Sequence, residues 1–339
     1  MTGDYKALKL IASSNPHIRS NEDTRSIMLD VIIALCPALA WSIYRFGFRA
    51  LVAAIVSVGS AIFWEWLYRK LLKKPQMLGD LSAAVTGLLL SMVCPVTLPY
   101  WMLVVGNFFA IMVVKQLYGG LGKNFLNPAL AGRAALVACY ASQMTSWIDP
   151  SSGWAPLAGA DAVTAATPMA MIGEDFAGLT ATYSLSDMFI GFTGGSAGEV
   201  SAMMLLIGGL YLIFRKVISW HIPVAYIGTV ALLALLFPGG NPAFQYMLYS
   251  IFGGGLMLGA FFMATDYVTS PVTKKGQIIF GVGCGLLTVF IRKFGSFPEG
   301  VCYSILLMNC TTWIIDQHVK PTRFGVDKAA EKAKKEAAK

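Results

Sequence analysis

Two hydroxyls and a carboxylate stand close together in Asp161-Ala162-Val163-Thr164-Ala165-Ala166-Thr167-Pro168. Their neighbours are methyl-sized, so an enzyme could approach Thr167, and an esterified phosphate there could anchor a group. The plainer reading is an Ala/Thr loop that turns at proline. A second cluster is Thr265-Asp266-Tyr267-Val268-Thr269-Ser270-Pro271, where Asp266 lies among hydroxyls able to hydrogen-bond a flat ring or coordinate a hard cation. A third is Gly119-Gly120-Leu121-Gly122-Lys123-Asn124-Phe125-Leu126-Asn127-Pro128. It is no Walker A loop, because Asn124 stands where Ser or Thr must follow the lysine. Its alternatives are tight packing with a helix start at Asn127-Pro128, or a polar pocket for a cofactor or ion.

Other chemistries find no support. Cys36, Cys94, Cys139, Cys284, Cys302 and Cys310 form no CxxC pair and read as small hydrophobes, not as a disulfide frame, zinc site or iron–sulfur site. His17, His221 and His318 are far apart, which indicates no haem or metal pair.

The elements that must position these residues are set by an apolar chain. Of 339 residues 56% are hydrophobic and 13% charged, about half the charged share of a soluble domain. Ten apolar runs lie near 26–44, 50–68, 77–95, 99–118, 127–141, 200–217, 220–237, 243–264, 276–293 and 298–317. The expectation is an all-α polytopic membrane protein of about ten transmembrane helices. The opening residues are polar and mixed in charge, so the first run reads as a span and not as a cleaved leader.

The net charge of +8 is better read as topology than as a sign of nucleic acid. With the N-terminus placed in the cytoplasm, 22 of the 26 Lys and Arg fall inside, counting Arg133, which lies within span five. Only Arg45, Arg49, Arg292 and Lys293 remain outside. This divides the chain into a cytoplasmic segment 1–25, a five-helix half 26–141, an extracytoplasmic loop 142–199, a second half 200–317 and a basic cytoplasmic tail 318–339 that favours an anionic lipid surface. The loop carries Asp149, Asp161, Glu174, Asp175, Asp187 and Glu199 with no Lys or Arg, which puts Thr167 outside. Five spans per half make any repeat inverted, and the Gly119–Pro128 and Thr265–Pro271 breaks are a faint echo at non-matching positions. Asp30, Glu65 and Asp80 read as structural carboxylates, Glu65 one turn from Arg69. Most tryptophans read as an aromatic belt, with shielding of a flavin the alternative for Trp147 or Trp154.

The octapeptide at 161–168 resembles the flavinylation motif Asp-x-x-Ser/Thr-Gly-Ala-Thr of a family of related membrane proteins. The family comprises the D subunit of the Rnf ferredoxin:NAD oxidoreductase complex and the B subunit of the sodium-pumping NADH:quinone reductase. Asp161, Thr164, Ala166 and Thr167 match, and Ala165 departs from the usual glycine. Gly119–Ala129 with Arg133, and Phe262–Pro271, are similar to the same family, and the overall length is nearer its Rnf branch. The resemblance implies FMN joined to Thr167 through a phosphoester by a flavin transferase, and a non-covalent riboflavin within the bundle. Asn124, Asn127, Asp266 and Thr269 are the residues assigned to that second flavin or to an ion.

The resemblance further implies a subunit inactive alone, in a multi-pass prokaryotic (inner) membrane complex with both termini cytoplasmic. Electron flow between the outer FMN and the cytoplasmic side would be coupled to Na+ or H+, with iron–sulfur and flavin-bearing partner subunits. No metal site is expected in this chain. One flavin cannot bridge a core of ~30 Å, so a second centre is required. The rivals are a small-solute transporter or channel of inverted repeats, and a scaffold whose threonine stays unmodified.

Overall fold

The computed structural model describes residues 22–147, 167–295 and 300–321. Asp161, Thr164, Ala166 and Trp154 lie outside the described residues, as do most of the 1–25 segment and all but the start of the basic tail. Among the described residues the structure is helical, with no strand.

The first half contains α1 (Thr24–Phe46), α2 (Phe48–Leu71), α3 (Ser82–Val93), α4 (Tyr100–Asn107) and α5 (Pro128–Cys139). Helix α4 runs on as a π-helix, Phe108–Gln116. Short helices α6 (Ala141–Met144), α7 (Pro168–Glu174), α8 (Phe176–Thr182) and α9 (Leu185–Ile190) follow. The second half holds α10 (Ala202–Phe214), α11 (His221–Leu236), α12 (Ala243–Phe252), α13 (Leu256–Leu258), α14 (Lys274–Phe294) and α15 (Val301–His318). Here too a π-helix, Gly259–Met263, extends α13.

Each apolar run therefore forms a helix, but the lengths differ from ten uniform spans. Helices α1, α2 and α14 are long and apolar enough to cross a membrane. Helix α12 and the 256–263 segment pass only as a pair, bent by 61°. Helices α3 and α5 have 12 residues each, about 18 Å of rise against a ~30 Å core. Hydropathy cannot separate such a short helix with an apolar approach from a full span.

Polar side chains fix the helix starts. Asp80 Oδ1 accepts from the Ser82 N–H at 3.0 Å at α3. Asn127 caps α5 with Pro128 in the first turn, and Thr273 Oγ1 accepts from the Gly276 N–H at α14. The structural roles expected of the carboxylates hold in altered form. Glu65 does meet Arg69, at 3.5 Å, whereas Asp30 bonds across helices to Tyr211 and Arg215.

Packing joins the halves at matching places. Helix α1 lies on α10 and α5 on α15, the first and last helices of each half. Close approach in an apolar solvent depends on small residues, and a Cβ on Gly208 would collide with the Ala34 carbonyl of α1. Both polar breaks noted in the sequence follow a π-helical stretch, so the echo extends to the backbone.

Two cavities at the ends of one broken helix

Residues 117–127 and 264–273 are non-helical, as their Gly, Pro and hydroxyl content suggests, and they meet at one cleft. The cleft has a cavity volume of about 90 Å³. Asn124, Asn127 and Asp266 all line it, together with Lys115, Phe261 and Phe262. Three of the four residues expected at a second site thus meet in one place, from both halves of the chain.

Asn127 does several jobs. Its Oδ1 accepts from the N–H groups of Ala129 (3.1 Å) and Leu130 (3.4 Å), and its Nδ2 donates to Met263 O at 3.2 Å. Asn124 Nδ2 donates to Leu126 O at 3.0 Å. Thr269 stands behind the cleft and donates its hydroxyl to Asp266 Oδ2 at 3.1 Å. The Thr269 carbonyl accepts from Thr312 Oγ1 at 2.8 Å. In the amide orientation that satisfies both ends, Asn309 donates to the same carbonyl and accepts from the Asn127 N–H. Burial pushes the Asp266 carboxyl above the ordinary carboxylate range, against the lowering by Thr269 and the Val268 and Tyr267 amides.

Lys115 enters the sequence argument only as a charge, yet it belongs to this cleft. It is 2% exposed, and its Nζ donates to Glu65 Oε2 at 3.0 Å and Ser82 Oγ at 2.6 Å. A cation closing an otherwise apolar run, Phe108–Val114, is the one signal the sequence holds for it.

Thr167 lies in a second, much smaller cavity, of about 20 Å³, lined also by Thr193, Gly195, Glu199, Phe252 and Gly254. Its Oγ1 accepts from the Ala170 N–H at 3.2 Å as the cap of α7, and the residue is 6% exposed. The described part of the expected 142–199 loop is not an open excursion. Helices α7 to α9 build a small core with Tyr249 of α12, and Thr193, Ser196 and Val200 are buried.

Glu199, a loop carboxylate by its sequence context, is instead buried. It lies 3.9 Å from Arg133 of α5, with both side chains 8% exposed. It faces the break in the broken helix: Gly255 has φ +66°, and a Cβ there would collide with Glu199 Oε1. On the other side of the break Arg292 donates to Ser250 O (2.7 Å), Gly253 O (3.2 Å) and Gly254 O (3.4 Å). The carboxylate thus lies at the N-terminal end of one half-helix and the guanidinium at the C-terminal end of the other, each sign matching the backbone dipole.

One element connects the two cavities. Gly254 lines the outer one, and Phe261, Phe262 and Asp266 line the inner one. The eight helical residues Leu256–Met263 between them rise roughly 12 Å.

A family model described as the NQR2, RnfD, RnfE family matches residues 11–325. The D subunit of the Na+-translocating ferredoxin:NAD+ oxidoreductase complex of Acetobacterium woodii is 50% identical over 330 residues, covering 96% of this chain and 99% of its own. The D subunit of the proton-translocating ferredoxin:NAD+ oxidoreductase complex of Clostridium ljungdahlii is 46% identical, covering 92% of this chain and 95% of its own. The D subunit of the ion-translocating oxidoreductase complex of Stutzerimonas stutzeri is 39% identical, with coverage of 91% and 93%.

Proposed function

This chain belongs to the NQR2, RnfD, RnfE family, and from that premise we propose that it is the flavin-carrying membrane subunit of an ion-translocating ferredoxin:NAD oxidoreductase complex. It works with other subunits of that complex, including iron–sulfur and flavin-bearing ones, and not alone. It has ten spans in two inverted halves and cytoplasmic termini in the prokaryotic cell membrane. One FMN is attached to Thr167 on the outer face by a flavin transferase, and one riboflavin occupies the inner cleft. Electron passage between them is coupled to export of Na+ or H+.

The observation that carries this reading is that the two cavities lie at opposite ends of the Leu256–Met263 half of one broken helix, with Thr167 near the break and the Asn124, Asn127 and Asp266 set at the far end. The side chains at each suit the chemistry of its group, although the outer cavity is too small to enclose more than the attachment point. A flat ring system needs apolar faces and a few polar partners, and the inner cleft offers Phe261 and Phe262 with two amides, a carboxyl and an ammonium. Asn124 commits one N–H to Leu126 O, which leaves its amide oxygen for an occupant. At the outer cavity Thr167 Oγ1 is an acceptor, a role that an ester oxygen keeps, and a Cβ position on Gly195 has nothing within 4 Å.

When bound, the flavins supply the electron chemistry. The chain supplies position and charge. Thr167 tethers, which suits an outer face with no cytoplasmic pool to replace a lost cofactor. Asn127 Nδ2 ties the inner cleft across the halves, Thr269 orients the Asp266 carboxyl, and the phenylalanine wall keeps water out. The deciding measurement is flavin fluorescence of the denatured chain on a gel, after production with its flavin transferase. A fluorescent band that is lost on Thr167→Val supports the reading; a dark wild-type band refutes it and leaves the solute transporter and the unmodified scaffold.

A further inference from the structure

The inner cleft has a fixed cation in its wall, Lys115. Glu65 on α2 is fully buried and shared by two cations. Its Oε2 accepts from Lys115 Nζ at 3.0 Å, its Oε1 accepts from Gln116 Nε2 at 2.7 Å, and Arg69 Nε lies 3.5 Å from the same Oε1. A second carboxylate, Asp80, stands one hydroxyl away, its Oδ1 accepting from Ser82 Oγ at 2.8 Å, so Lys115 is held between two anionic groups. Burying an ammonium is costly unless it is paired and hydrogen-bonded, and here it is both.

Lys115 brings its charge to the cleft wall, where it also acts on the Asp266 carboxyl. An ammonium has three N–H groups, and two are committed, to Glu65 and to Ser82 Oγ at 2.6 Å. The side chain lines the cleft with Asn124 and Asp266. No ion pair joins Lys115 to Asp266 among the described residues, and Asp266 is bonded to Thr269. The two anchors hold Nζ in one place, which is the condition for a fixed charge to act on a developing one without reorganisation.

We propose that Lys115 is the electrostatic partner of the reduced flavin in this cleft, holding the negative charge that the ring gains when an electron arrives ahead of a proton. The proposal rests on the reading above that the cleft takes riboflavin. The oxidised ring is neutral, and one electron from a one-electron donor such as an iron–sulfur centre of a partner subunit brings it to −1. No bond breaks in that step, and Lys115 keeps all three protons. Glu65 and Ser82 are positioning residues, and the Glu65 carboxylate opposes the effect while it anchors the ammonium.

The test uses the purified whole complex. Non-covalent flavin is quantified after acid release, and its midpoint potential is read by absorbance in a redox titration. Lys115→Met should retain the flavin and shift its potential downward, Lys115→Arg should stay near wild type, and Glu65→Gln should shift it upward. Opposite signs for the two charge-removing variants are an outcome that mere loosening of the cleft does not produce. An unchanged potential in K115M with full flavin overturns the proposal. If K115M fails to assemble, a downward or absent shift in E65Q overturns it just as well. A wild-type complex with no releasable flavin overturns the riboflavin reading itself, and this proposal with it.

Discussion

Asn127 and Met263 come from opposite halves of the chain and are joined by a 3.2 Å hydrogen bond from the amide Nδ2 to the carbonyl oxygen. The carbonyl ends a π-helix and the amide caps α5, so one side chain closes two irregular ends at once. Asn127→Ala removes both. Loss of the cap alone costs about 1 kcal/mol, and the orphaned buried carbonyl adds about 1 more. Thermal unfolding of the purified protein should show the loss, with non-covalent flavin falling in parallel. Full flavin occupancy in a destabilised N127A would separate Asn127 from the cleft's binding role.

Thr167 has two separable duties. Thr167→Ser should keep both the cap on α7 and the attachment of flavin, whereas Thr167→Val should lose both, the cap at about 1 kcal/mol. Thr164→Val should leave the gel fluorescence of the chain intact. A fluorescent T167V band would move the attachment site to Thr164.

The hydroxyl of Thr167 is buried against the protein as it stands. A transferase needs reach, so attachment should precede the final packing of α7 against Met188 and Tyr249. Folded, unmodified protein given transferase and FAD should gain flavin slowly, and mild loosening by detergent or temperature should speed it. Rapid, complete labelling of the folded chain would contradict this order.

Arg133 and Glu199 are a buried pair of opposite charges. Removing one partner from such a pair costs about 3–5 kcal/mol, because the other charge is left in a low-dielectric surrounding. Glu199→Ala should therefore destabilise strongly, and Arg133→Met combined with it should cost less than the two changes summed. Additive losses in a double-mutant cycle would show that the two side chains do not act together.

Asp266 gives a pH signature. Burial raises its folded-state pKa above the unfolded value, so the folded chain binds the proton more tightly. Its contribution to stability is complete below the ordinary carboxylate range and is lost as pH rises through the raised pKa. The melting temperature of the wild type, relative to Asp266→Asn, should fall over that window and then level off. A difference that grows with rising pH would reverse the sign and refute the assignment.

Much of the inner site is legible in the sequence because its residues announce breaks. Proline after Asn127 and before Val272, and glycines from 119 to 122, mark places where helix must stop, and polar residues beside a stop inside an apolar chain have few structural uses. The Thr269 to Asp266 bond follows from local spacing for the same reason. Lys115 and Glu65 stay hidden because they are 50 residues apart and each ends an ordinary apolar run. Glu199 is misplaced by its context because it belongs to a stretch of small and acidic residues, and only the fold shows that this stretch turns back beneath the outer helices. Helix length is the other blind spot, since α3 and α5 reach their apolar length only together with the non-helical residues beside them.

The bend between α12 and α13 has a consequence for leakage. An interrupted helix in a membrane leaves carbonyls and amides that would ordinarily recruit water, and a file of water is a route for ions. Here a guanidinium occupies the carbonyl end and a carboxylate the amide end. The protein meets its own fracture with fixed charges whose signs match the exposed backbone ends. Along the proposed electron path, a break closed in this way has less need of water, which limits the ion leak that a device storing energy as an ion gradient must avoid.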